Sequence, residues 1–265
     1  MSHPPRRLTN TDTSDRRRRE PVPRLDSRTP SHRNTVSTML ELIDTTKTYA
    51  QGRTPVTAVR GVSLTVAAGE FVTIMGPSGS GKSTLMHLMG ALDTPTSGRA
   101  VFQGRDLQRM SDRERSLLRR NKIGFVFQAF NLLPTLSAAE NVALPLLLDS
   151  RPRREAVAKA EACLDRVGLR HRADHFPEEM SGGEMQRVAV ARALVSDPDA
   201  VLCDEPTGNL DSANSRDILA LLAELPEAGR RCVVVVTHDA TAAQYGTRLV
   251  TIRDGLLESD APVRR

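Results

Sequence analysis

The sequence predicts an α/β fold: a mixed, largely parallel core sheet, an antiparallel β subdomain and an α-helical subdomain. Three observations predict it. Residues Phe71-Val72-Thr73-Ile74-Met75 form a short apolar run of buried-strand type, the glycine-rich stretch 76–84 follows, and Leu85, Met86, Leu88 and Met89 then mark one apolar helical face. Ahead of this unit, residues 40–44 and 62–66 alternate apolar with polar, as antiparallel strands with one wet face do. Beyond it, residues 132–169 carry helical patterning, and two further buried-strand runs, 200–203 and 232–237, return the chain to the sheet.

Taken in order, residues 1–38 are rich in Arg, Pro, Ser and Thr with almost no large apolar side chains, the composition of a disordered tail. Its densest run, Arg16-Arg17-Arg18-Arg19, suits attraction to anionic lipid headgroups, a solvated extension, or an upstream start codon ahead of Met39. The folded part, 39–265, opens with residues 40–44, which read as an edge strand. Tyr49 comes before the Gln51-Gly52 turn, and either packs locally or stacks on a flat ring. After the glycine-rich unit, residues 94–98 make a turn and 99–102 a strand. Ser111 followed by Glu114 has the spacing of a capping box opening a short helix.

Residues 123–127 read as a buried strand ending at Gln128. A helical, apolar stretch over 132–148 is interrupted by Pro134 and Pro145, and the helix expected over 153–169 sets Val157, Ala160, Leu164 and Val167 on one face. Leu132, Leu133, Leu136 and Val142 supply either ordinary core or a groove for a partner's helix. Ser181-Gly182-Gly183 opens another helix, as a simple cap or as a second anion cradle.

The chemistry concentrates in Gly76-Pro77-Ser78-Gly79-Ser80-Gly81-Lys82-Ser83-Thr84, which matches G-x-x-x-x-G-K-[ST] at every fixed position. A loop that wraps an anion turns its N–H groups inward, through φ values that glycine alone adopts freely. Lys82 adds a cation for the β/γ-phosphates, Ser83 a hydroxyl for Mg²⁺, and the helix dipole points its positive end at the same place. A nucleoside triphosphate is the expected ligand. Asp204 and Glu205 then stand where the strand 200–203 runs out, and two carboxylates there are costly without a cation or a proton-transfer task. Asp204 suits water-mediated Mg²⁺ binding and Glu205 suits polarising an attacking water. His238 ends the strand 232–237 at an equivalent position.

The formal charge of +5 belongs to the tail: residues 1–38 hold nine Arg against four acids, whereas 39–265 hold 28 of each sign. A basic nucleic-acid groove is therefore not indicated. Cys163, Cys203 and Cys232 lack metal-like spacing and read as buried reduced thiols in a reducing cytosol. No apolar run reaches the roughly 18 to 20 residues that span a bilayer.

Together these motifs resemble the nucleotide-binding subunit of ABC transporters over residues 39 to about 258. The resemblance implies the ABC-cassette version of the P-loop NTPase fold, with its helical subdomain at about 129–180, and ATP with Mg²⁺ as cofactors. It implies that Tyr49 stacks on adenine and that Gly76, Ser78, Gly79, Ser80, Gly81, Lys82, Ser83 and Thr84 hold the phosphates. Gln128 corresponds to the glutamine that senses Mg²⁺ and water, Ser181, Gly182 and Gly183 to the signature, and Asp204 and Glu205 to the metal-proximal Asp and catalytic Glu. Asn209-Leu210-Asp211 corresponds to a dimer-facing turn, and His238 to the γ-phosphate switch. Catalysis is thus assigned to Glu205, His238 and Gln128, and the metal to Ser83, Gln128 and Asp204.

The segments 75–85, 90–98 and 127–134 are similar to the macrolide-efflux and lipoprotein-releasing subgroup. Met180 and Glu184 depart from the usual Leu and Gln of the signature; the first conserves volume, and Glu184 occurs in lipoprotein-releasing relatives. The implied assembly is a homodimer of cassettes that drives a separate integral-membrane permease, peripheral on the cytoplasmic face of the inner membrane, with no nucleic acid as partner. A division-type regulatory ATPase, or a soluble ABC ATPase unlinked to transport, would share these motifs.

Overall fold

The computed structural model describes residues 1, 37–51, 54–226 and 230–263. Two long alternating strands, β1 (Thr38–Gln51) and β2 (Thr54–Ala67), pair antiparallel along their length. Then β3 (Phe71–Met75) leads through the glycine-rich loop into α1 (Lys82–Met89), and β4 (Ser97–Phe102) with the short β5 (Arg105–Asp106) returns to the first sheet. That sheet has the order β2-β1-β4-β5.

The expected edge strand over 40–44 is thus corrected. β1 is an interior strand, it begins at Thr38 inside the expected tail boundary, and it contains Tyr49. Register shifts against both neighbours between Leu42 and Lys47 bend it, and the fully buried Thr45 hydroxyl donates to the Arg99 carbonyl at 2.8 Å within the bend. Ser97 and Gly98, expected in a turn, belong to β4. The expectation of a disordered tail falls almost entirely on residues outside those described.

The chain continues with α2 (Asp112–Asn121), opened by the capping box of Ser111 and Glu114, and β6 (Ile123–Phe127). Next come α3 (Ala138–Leu148), α4 (Arg153–Arg166) and α5 (Gly182–Leu194), then β7 (Ala200–Asp204), α6 (Ser212–Ala223), β8 (Cys232–Thr237), the single turn α7 (Ala240–Ala243), β9 (Arg248–Arg253) and β10 (Leu256–Pro262). The second sheet runs β10-β9-β3-β8-β7-β6, parallel throughout except for β10. Its central strands alternate between two apolar cores. Cys232, Val234 and Val236 face a cluster shared with β1, β2 and α1, whereas Val233 and Val235 face one shared with α3, α4, α5 and α6. Both faces are covered, which is why these strands read as unbroken apolar runs.

The helical patterning over 132–148 resolves into a shorter helix. Pro134 and the left-handed Phe130 and Asn131 (φ 58° and 52°) keep the chain irregular until Ser137 caps α3, while Pro145 is accommodated inside it. Val142 is wholly buried in the core, so the groove option fails for that residue; Leu133 is exposed. The next helix stops at Arg166, short of Leu169, and its buried stripe is Ala156, Ala160 and Leu164, with Val157 only half-buried. Cys203 and Cys232 lie in the core, where burial pushes the Cys232 thiol up to about 12, so neither offers a thiolate; Cys163, expected to be buried as well, is only half-buried because it lies beside the buried stripe of α4 and not within it. Among the described residues no helix is long and apolar enough to cross a membrane.

Candidate functional site

The parallel strands end at one edge of the sheet. Met75 pairs with Thr237, Val236 with Asp204, and Asp204 with Phe127, so the residues that follow (Gly76, His238, Glu205 and Gln128) leave the sheet side by side. The C-terminal edge of a parallel sheet is where α/β proteins bind ligands. A cleft of about 540 Å³ opens there, lined by Ala58, Ser78, Gly79, Gly81, Lys82, Ser83, Thr84, Gln128, Glu205 and His238.

Two glycines make the loop possible. A Cβ on Gly76 would stand 2.1 Å from the Ile252 carbonyl oxygen, and one on Gly81, whose φ is 99°, would stand 2.2 Å from the Ala58 carbonyl oxygen. The loop is therefore pressed against β9 on one side and β2 on the other, with no room for a side chain. Lys82, the first residue of α1, is 7% exposed and its ammonium donates to the carbonyls of Gly76 (2.8 Å) and Pro77 (3.0 Å). Those bonds offset the cost of burying the charge and hold it inside the loop. Ser80 is buried behind it.

The Ser83 hydroxyl donates to Asp204 at 3.0 Å. Burial raises the Asp204 carboxyl above the usual range, and the Ser83 hydrogen bond and nearby His87 oppose the rise only in part. Glu205 follows in a left-handed conformation (φ 46°), a backbone state that costs about 1–3 kcal/mol for a residue with a side chain. The strain aims its carboxylate across the strand end. One oxygen accepts from the Thr237 hydroxyl (3.0 Å) and the His238 N–H (3.4 Å), and the other meets His238 Nδ1 at 2.9 Å. Gln128 is exposed and is bonded twice to Asn209: its Nε2 donates to Asn209 Oδ1 at 3.3 Å, and Asn209 Nδ2 donates to the main-chain carbonyl of Gln128 at 2.9 Å.

Tyr49 stands outside the cleft lining, beside Thr84 at its rim. Its hydroxyl donates to Asp93 at 2.9 Å, and the Lys47 ammonium, 4.9 Å from the ring centroid, covers one face. Burial is the largest cause raising its phenol above the ordinary range. Ser181, Gly182 and Gly183 are also away from the cleft, at the start of α5 next to the Asn209 carbonyl and the Leu210 side chain. Ser181 caps the helix by accepting from the Glu184 N–H (3.3 Å). Glu184 in turn accepts from the Ser181 N–H (2.8 Å) and from Arg172 Nε (3.1 Å). Those bonds, the Ser181 N–H foremost, hold the Glu184 carboxyl below the usual range. Three residues of the site area were not singled out from sequence: Ala58 in the cleft wall, Thr237 on Glu205, and Gln186 behind the strand ends. Only Thr237 carried a signal, as the polar residue that ends a β-branched run.

The profile of the ABC transporter family matches residues 59–208, more than half of the chain. The chain belongs to the ABC transporter family. The cassette is 47% identical over 225 residues to the lipoprotein-releasing system ATP-binding protein LolD of Geobacter metallireducens, covering 85% of this chain and 100% of that one. It is 47% identical to the macrolide export ATP-binding/permease protein MacB of Chlorobaculum tepidum, covering 84% of this chain but 34% of that protein. Among solved structures, the ABC cassette resembles the dimeric post-hydrolysis state of the ATP-binding cassette MJ0796 bound to ADP and Pi. There the TM-score is 0.79 and the identity 43%, over 86% of this chain and 100% of that one. The fold is that of the ABC cassette, and the chain is an ATP-binding ATP hydrolase of the MacB and LolD subgroup.

Proposed function

We propose that two copies of this chain close around two ATP molecules and that the cycle of closing and opening drives a partner membrane permease. The observation that carries this reading is the division of the site. The phosphate loop, Gln128, Glu205 and His238 share one cleft, while Ser181–Gly183 stands outside it on the same chain. A signature turn that does not reach its own cleft serves a second one, and the dimeric cassette structure to which the chain is similar supports that pairing.

In this reading Lys82 and the loop N–H groups grip the β/γ-phosphates, with the Ser181 turn of the partner copy on the far side. Tyr49 stacks on adenine. Glu205 accepts a proton from the attacking water, and its contact with His238 Nδ1 keeps the imidazole turned toward the γ-phosphate position. The residues also fit magnesium: Ser83, Asp204 and the Gln128 amide offer oxygen, the donor that a hard cation takes, and Ser83 already lies against Asp204. Bound there, the ion would neutralise phosphate charge. After hydrolysis nothing grips both copies together, and the closed state loses its advantage.

The test is sedimentation of the Glu205→Gln protein with and without ATP. A dimer that forms only with ATP supports the reading. Full-rate turnover by an obligate monomer under dilution overturns it.

The permease reading is supported by the names of the relatives, a lipoprotein-releasing system and a macrolide exporter, and in it the chain works at the cytoplasmic face of the inner membrane. An open apolar groove of about 370 Å³, lined among others by Phe125, Phe127, Leu144 and Leu148, suits a cytoplasmic helix of that permease. Purification in mild detergent with a permease of few spans and a large outer domain would support this. Recovery with ribosomes or DNA would replace it.

A further inference from the structure

Gln186 sits in the second turn of α5 and is fully buried. Its Nε2 donates to the Pro206 carbonyl at 2.6 Å and reaches the Phe127 carbonyl at 3.5 Å, while its Oε1 accepts no hydrogen bond among the described residues. A half-satisfied amide is a costly filling for a core position, because the unpaired oxygen has given up its water for nothing. The position therefore uses the two N–H donors.

Both acceptors are next to site residues. Phe127 ends β6 immediately before Gln128, and Pro206 follows Glu205 at the end of β7. The same two segments are joined again by the two hydrogen bonds between Gln128 and Asn209. On the other side, α5 is fixed to α6 by Arg187 and Asp217 at 2.8 Å. Gly183 lies so near α6 that a Cβ there would stand 2.3 Å from Asn214 Oδ1. A displacement of either strand end must break the Gln186 bonds or carry the first turn of α5 with it.

We propose that Gln186 is a positioning residue that couples the two half-sites carried by one chain. Nucleotide engaged by Gln128 and Glu205 in the chain's own cleft sets, through Gln186, the placement of the Ser181 turn offered to the nucleotide of the partner copy. ATP in one cleft thereby prepares the other for a second ATP. The inference rests on the sandwich reading above.

The test is Gln186→Met in the full chain, which keeps the shape and removes the donors. Gln186→Asn, one methylene too short to span the gap, carries the same test should the first variant not fold. For both, the Hill coefficient of ATP turnover falls from about 2 to about 1, the number of sites setting its ceiling. The half-saturating ATP concentration rises about fivefold or more with kcat changed less than about threefold, and mant-ATP affinity of the unassembled chain stays within about twofold. A residue that only fills the core would lower kcat with the active fraction and leave cooperativity and half-saturation in place. That outcome, in a folded variant of a cooperative parent, overturns the coupling alone. A parent that turns over ATP as a non-cooperative monomer overturns the sandwich reading and the coupling with it.

Discussion

The Glu205 carboxylate and the His238 imidazole meet at 2.9 Å, each at the end of its own strand, with Glu205 mostly buried and His238 mostly exposed. Thr237 and the His238 N–H hold the other carboxylate oxygen, so both oxygens of the acid are fixed at the strand ends. Glu205→Gln keeps this shape and removes the base. Phosphate release should fall by about 10²- to 10⁴-fold with ATP affinity retained, as single-turnover hydrolysis and equilibrium binding would measure.

Lys82 should matter at an earlier step. Its ammonium is already desolvated and aimed by two carbonyls, so a phosphate meets a preorganised charge. Lys82→Ala should weaken ATP binding by about 1.5–3 kcal/mol, the range of a charge-assisted hydrogen bond. Fluorescence titration with mant-ATP reads this directly, and unchanged affinity would remove the loop from the account.

Tyr49 has one ring face under Lys47 and is itself 37% exposed. Base stacking on such a ring contributes about 1–3 kcal/mol, so Tyr49→Ala should raise the Kd for ATP while leaving that for inorganic triphosphate unchanged. Equal loss for both ligands would mean that the ring only packs.

Asp93 anchors that tyrosine and the Lys47 ammonium, which lies 2.6 Å away. Burial works to raise its carboxyl, but the bonds from Lys47, the Thr94 N–H and Tyr49 outweigh it and hold the group below the usual carboxylate range. A depressed carboxyl contributes stability that is present above the unfolded-state value of about 3.9 and is lost as pH falls through the lower folded value. Asp93→Asn should cost about 1–2 kcal/mol at pH 7, between the ranges of exposed and buried pairs. The difference from the parent should vanish in the acid limb of thermal melts recorded from pH 7 downward.

Much of this site was legible because its parts sit at strand ends. Gly76 to Thr84, Glu205 and His238 each follow a short apolar run, and a run that stops at a polar residue marks the sheet edge. What stayed hidden depends on neighbours distant in sequence. The alternation at 40–44 shows one wet face but not how many strands flank it, so β1 read as an edge. The apolar spacing over 132–137 suits a helix, yet Phe130 and Asn131 in left-handed conformations redirect the chain until Ser137. Gln186 looks like any polar residue on a helix, since only the fold brings the Phe127 and Pro206 carbonyls to it.

The strand that carries the phosphate loop has both its sheet neighbours, β8 and β9, late in the chain, at Cys232–Thr237 and Arg248–Arg253. During translation, then, β3 waits unpaired while some 160 residues are added, and the Ile252 carbonyl that backs Gly76 emerges later still. A nascent chain halted before that point on the ribosome would own the whole glycine-rich motif and still be unable to hold a nucleotide.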